Sequence, residues 1–167
     1  VRTAKYNIDV NLQADTVIIS NNRFESLNSN SNTSYRNIYA VGGDYIVYKF
    51  NTTINQKTNY IFMEVDSVLA NRFVGGENTS LITVYGQSFI TNNYFEVGGT
   101  VDNRAIDLST GTSTVVVANN SINNTGTSSG SYGLYASGSL ENVTVKNNIF
   151  SASGGGTPVY LGSSVSN

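Results

Sequence analysis

The sequence predicts an all-β chain wound as a single-stranded parallel β-helix of about seven coils, a solenoid in which each turn adds short strands to shared sheets. Three observations carry this. An alternating apolar stretch that runs into Asn-Asn-x-Phe recurs along the 167 residues. A second strand, apolar then variable then apolar, precedes each copy in one constant phase. No helix-length window repeats at the helical period, and β-branched residues, Tyr, Asn and Gly dominate.

The Asn-bearing unit is clearest at Val17, Ile19, Asn21, Asn22 and Phe24; at Ile90, Asn92, Asn93 and Phe95; at Val115, Val117, Asn119, Asn120 and Ile122; and at Val143, Val145, Asn147, Asn148 and Phe150. Asn71 and Phe73 keep a fainter copy, and around Thr52 and Ile54 it is more degraded, with Thr in the Asn position. A β-sandwich or antiparallel barrel would not place Asn and Phe at one fixed point of the unit. Stacked coils do, because equivalent residues then lie about 4.8 Å apart along the axis. Asn22, Asn71, Asn93, Asn120 and Asn148 are expected to form an amide ladder. Phe24, Ile54, Phe73, Phe95, Ile122 and Phe150 are expected to stack as a core column.

The preceding strand reads Ile8-Asp9-Val10, Ile38-Tyr39-Ala40, Ile61-Phe62-Met63, Ile82-Thr83-Val84, Ile106-Asp107-Leu108, Leu134-Tyr135-Ala136 and Val159-Tyr160-Leu161. Period-two alternation suits a strand with one face in the core. Successive copies start 30, 23, 21, 24, 28 and 25 residues apart, the circumference of a coil, so loops absorb the variation. The Gly/Ser/Thr-rich stretches 125–131 and 151–157 read as flexible loops leaving the coil.

Val143 to Phe150 shows the pattern Val-x-Val-x-Asn-Asn-x-Phe in full. In this the chain resembles the right-handed parallel β-helix repeat family of pectate-lyase-like enzymes, phage tailspikes and bacterial surface proteins, over nearly its whole length. The resemblance implies the fold. Some such proteins cleave acidic polysaccharides with calcium and an Arg or Lys base, others hydrolyse glycosidic bonds with paired carboxylates, and many do no chemistry.

Composition narrows the chemistry. Charged residues make up 12% of the chain, about half the usual share, and Asn, Ser, Thr and Gly take their place. Nine basic against eleven acidic residues, with no Lys/Arg run, argue against nucleic acid. No apolar stretch is long enough to cross a bilayer, so no membrane insertion is expected. Without His or Cys, histidine acid–base work, Ser-His-Asp and Cys-His arrangements and imidazole or thiolate zinc sites are excluded. The carboxylates are too scattered for a calcium loop, and nothing calls for a metal or a cofactor.

The variable position of the first strand is expected to form one continuous outer face: Asp9, Tyr39, Phe62, Thr83, Asp107, Tyr135 and Tyr160, with Glu64, Tyr85 and Ser109 two residues beyond. Tyr39, Phe62, Tyr135 and Tyr160 are the candidate ligand-binding residues, since rings pack on sugar faces while polar neighbours hold hydroxyls. The plainer account makes them good outward strand residues covered by a loop or a neighbouring chain. A catalytic pair can be built from Glu64 and Asp107, two coils or about 10 Å apart, which suits an inverting hydrolase. Arg104, near Asp102, is the candidate lyase base. Ice binding would need a regular Thr array, and the column holds only Thr83. Six Asn-x-Ser/Thr sequons start at Asn32, Asn51, Asn78, Asn119, Asn123 and Asn142, as a chain of this composition is expected to contain.

Residues 1–167 read as one β-helix domain without visible caps, expected to be a segment of a longer solenoid or a protomer whose ends meet further coils, a homotrimer or a filament. The expected role is a structural and adhesive module at a bacterial cell surface or on a virion, contacting polysaccharide or cell-surface glycan. A fragment of a polysaccharide lyase or glycoside hydrolase is the alternative.

Overall fold

The computed structural model describes residues 6–26, 36–43, 45–57, 60–63, 65–77, 80–84, 86–108, 114–138 and 140–162. These form a parallel β-solenoid with no helix among them. The first sheet stacks seven strands in chain order: Tyr6–Ala14, Arg36–Gly43, Tyr60–Met63, Ser80–Val84, Arg104–Leu108, Tyr132–Ala136 and Thr157–Leu161. The second sheet runs from Val17–Ser20 to Val143–Lys146 and the third from Arg23–Ser26 to Ile149–Ala152, six strands each. Six three-strand turns are therefore complete, and the seventh copy contributes only Thr157–Leu161, which is where the count departs from seven full coils. Strands adjacent in a sheet are one whole turn apart in the chain, the long crossover that parallel pairing requires.

The first-sheet register follows the sequence phase. Ile8, Ile38, Ile61, Ile82, Ile106, Leu134 and Val159 lie in one column. Ile82, Ile106 and Leu134 are fully buried, so this is an inward face.

Between second and third sheets the chain turns sharply, and the Asn-Asn pair is the reason it can. The residue before each ladder position has a left-handed backbone: Asn21, Phe50, Ala70, Asn92, Asn119 and Asn147, with φ between 52° and 61°. Asn tolerates that region; Phe and Ala do not, at a cost of about 1–2 kcal/mol each. The second Asn builds the ladder. Asn93 N and Nδ2 both donate to Asn120 Oδ1 at 2.9 and 3.0 Å, while Nδ2 also donates to Val68 O of the turn before and Thr91 O of its own turn. The same linkage joins Asn22, Asn51, Asn71, Asn93, Asn120 and Asn148.

Asn51 corrects the expected second turn, where Thr was placed at the Asn position. The register pairs Phe24 with Thr53 and Thr53 with Phe73, so Thr53 and not Ile54 stands in the core column. The missing ring comes from the neighbouring sheet. Tyr48, in register with Ile19 and Val68, is fully buried and stacks between Phe24 and Phe73 at centroid distances of 6.2 and 6.0 Å. Phe73 and Phe95 continue the stack at 4.8 Å. Large and small residues have exchanged sheets, which conserves the volume of the layer. The Tyr48 hydroxyl lies 2.7 Å from Thr53 Oγ1, and burial pushes its pKa well above the tyrosine range, with the Thr53 hydrogen bond opposing.

Stretch 125–131 is also built differently from expectation. Rather than leaving the coil, it stacks on 98–103: Thr125 N donates to Val97 O, Thr127 N to Gly99 O and Ser131 Oγ to Val101 O. In stretch 151–157, Ser153 N donates to Asn124 O and Thr157 N to Ser131 O. Repeated backbone pairing makes both stretches part of the solenoid wall.

Candidate functional site

The variable column of the first sheet is in register throughout: Asp9 beside Tyr39, then Phe62, Thr83, Asp107, Tyr135 and Tyr160. Its exposure is not continuous, as the sequence had suggested. Thr83 and Asp107 are 5% and 6% exposed, whereas Tyr135 is half-buried and Tyr160 is 40% exposed. The backbones of Tyr39 and Phe62 hold their places, but their side chains lie outside the described residues, as does all of Glu64. The proposed pairing of Glu64 with Asp107 falls outside them too.

Asp107 and Arg104 are brought together. Arg104 Nη1 donates to Asp107 Oδ2 at 2.7 Å, and Ser80 Oγ donates to the same oxygen at 3.0 Å. The guanidinium carbon lies 3.7 Å from the centroid of the Tyr135 ring, a cation–π contact. Asp102, expected near Arg104, instead accepts from Ser128 Oγ at 2.7 Å. Tyr135 and Tyr160 stack nearly parallel, at 5.0 Å and 9°. Tyr132 tilts against both, at 5.0 and 5.3 Å.

Tyr132 was missed because it lies in register with Arg104 at the strand start, off the counted column. The available signal was the 28-residue offset, which sets Tyr132 and Tyr135 above Arg104 and Asp107. The assembled site is three rings and a guanidinium over one of them, bonded to a buried carboxylate. Such a surface can pack against an apolar ring face and donate hydrogen bonds beside it. It offers little for bond cleavage: the Asp107 side chain is 8% exposed, and its Oδ2 already has two donors.

Among the described residues, no group of three Asp or Glu gathers to hold a metal ion, and no helix is long and apolar enough to cross a membrane. The sequons separate by geometry. Asn51 is closed, its amide consumed by the ladder, while Asn119 and Asn142 are exposed and Asn123 is half-buried. Asn32 and Asn78 lie outside the described residues. Compared with known proteins, the chain matches no protein-family model, no curated protein and no solved structure.

Proposed function

We propose that this chain is a non-catalytic structural and adhesive β-helix module of an extracellular bacterial or phage appendage that contacts glycans through Tyr132, Tyr135, Tyr160 and Arg104. The observation that carries the reading is the stacked Tyr135–Tyr160 pair with the Arg104 guanidinium over the Tyr135 ring. Rings ordered against one another lose little side-chain freedom when a pyranose settles on them. The engagement of Asp107 by Arg104 and Ser80 favours this over a lyase or hydrolase related to the pectate-lyase-like enzymes. A stiff solenoid of low charge suits a surface or virion component with further coils, a homotrimer or filament neighbours as partners.

The test is a labelled panel of acidic and neutral polysaccharides, with binding, reducing ends and unsaturated-uronide absorbance all followed. Tyr135→Ala and Tyr160→Ala are expected to weaken the best glycan at least tenfold with the β-sheet circular dichroism unchanged. Turnover that disappears in Glu64→Gln, Asp107→Asn or Arg104→Ala would overturn the non-catalytic reading.

A further inference from the structure

We infer that the outer side of the corner between the second and third sheets is a second binding site, for a short segment of uncharged oligosaccharide lying along the solenoid axis. Two stacked columns bound it. One is the left-handed series Phe50, Ala70, Asn92 and Asn119; the other is the first residue of each third-sheet strand, Thr52, Arg72, Tyr94 and Ser121, which are in register. Between them runs an open groove of about 600 Å³, within the range of small-ligand sites. Ala70 creates it. A methyl group stands where neighbouring turns carry a ring or an amide, so the column is notched between Phe50 and Asn92.

Phe50 marks the groove as more than a surface irregularity. It is an aromatic residue at φ 55°, where four of the six turns place Asn, and it is 53% exposed. Backbone strain without compensating burial is the kind of outlier that clusters at ligand sites. The opposite wall is ordered. Tyr94 OH donates to Glu96 Oε2 at 3.1 Å, Arg72 Nη2 lies 3.9 Å from the same oxygen, and the Arg72 guanidinium sits 5.7 Å from the Tyr94 ring centroid.

These groups select the ligand class. Phe50 and Tyr94 are two turns apart, about 10 Å between backbones, which is about the length of two linked pyranoses. Their rings suit sugar C–H faces. Thr52 and Asn92 supply a hydroxyl and an amide on the same turns as the rings, and Asn119 and Ser121 line the groove one turn beyond Tyr94. Glu96 offsets Arg72 on the Tyr94 wall, so that wall holds no uncompensated cation for an acidic chain and suits a neutral one. The ladder amides at its floor are spent within the solenoid. This site is separate from the tyrosine cluster of the first sheet and does not rest on it.

The experiment is calorimetric titration of the full chain with β-1,4-linked glucose and N-acetylglucosamine oligomers of graded length, and with oligogalacturonate as the acidic comparison. A neutral oligomer is expected to bind. Phe50→Asn and Tyr94→Ala should each weaken it at least tenfold, and Tyr135→Ala should leave it unchanged. Phe50→Asn relieves the left-handed strain and should raise the thermal midpoint, so lost binding in that variant cannot be misfolding. The inference is overturned if no neutral oligomer binds, if oligogalacturonate binds in preference, or if Phe50→Asn keeps the wild-type affinity. Concentration-dependent self-association that vanishes in Phe50→Asn, without glycan binding, would overturn it in favour of a protein contact. Loss of binding in Tyr135→Ala alone would leave the first-sheet reading standing and this one fallen.

Discussion

The corner between the second and third sheets and the return from the third sheet to the first both redirect the chain, by opposite means. The corner spends one left-handed residue and one Asn in every complete turn, and each Asn satisfies the next. In the return, segments 98–103, 125–131 and 153–156 differ in length and are held by unlike bonds, such as Ser128 Oγ to Asp102 and Asn103 Nδ2 to Gly98 O and Val101 O. Buried side-chain atoms without a hydrogen bond include Asn103 Oδ1 in the return and Asn124 Nδ2 at the strand end that leads into it, and none from the ladder. Strict repetition lets one residue type close every bond. Variable length requires each segment to be solved singly, and some atoms are left over.

Two inserted glycines would give the largest contrast. After Asn119 they break the left-handed turn and the ladder at once, and the following turns should lose their register and their cooperative unfolding transition. After Ser129 the same insertion falls in a return segment whose length already differs from turn to turn, beyond the paired Thr125 and Thr127, and should cost no more than about 1–2 kcal/mol by urea denaturation. Equal effects would erase the distinction between the two regions.

Next in size is Asn93→Ala against Asn103→Ala. The first strips the five hydrogen bonds of the Asn93 side chain and leaves Asn71 N and Nδ2 without the oxygen both donate to, for a loss of about 3–5 kcal/mol. The second removes two side-chain bonds together with an unpaired oxygen, for about 1–2 kcal/mol. Urea midpoints at constant m-value decide between them.

The smallest effect probes the core behind the corner. Because the folded pKa of Tyr48 lies above its unfolded value, its contribution is complete below about pH 10 and is lost as pH rises past that point, when the unfolded chain ionises and the folded one does not. Wild type should therefore lose stability between pH 9 and 11 more steeply than Tyr48→Phe, by up to about 1.4 kcal/mol per pH unit. At neutral pH, Tyr48→Phe should cost about 1 kcal/mol for the Thr53 bond. Parallel pH profiles would show that Tyr48 is not shielded as its stacking between Phe24 and Phe73 requires.

The repeat was legible wherever one residue type does one job in successive turns. The inward Ile column, the second Asn of each clear pair and the Phe73–Phe95 stack follow from spacing alone. The second turn was not, because Phe50 replaces the first Asn and the Tyr48–Thr53 exchange preserves volume while changing position. Volume is a property of a layer and leaves no mark at a single site. The candidate surface was half legible: the register of Tyr135 and Tyr160 could be counted, but the closure of Asp107 depends on Arg104 and Ser80 folding over it. Side-chain reach across turns has no period to read. The groove at Ala70 was hidden for a related reason, since a notch in a column is a missing group.

The ladder also gives the molecule a direction. Every Asn-to-Asn donation runs from the side chain of one turn to the amide oxygen of the next, from Asn22 through to Asn148. The two end faces of such a stack are therefore complementary and unlike, as the ends of a bar magnet are. A coil that extends the series, from the same chain or another, fits head to tail. Head to head, amide oxygens would confront amide oxygens. Any fibre continued through this corner is a vector, with a leading and a trailing end set by a single side chain's orientation.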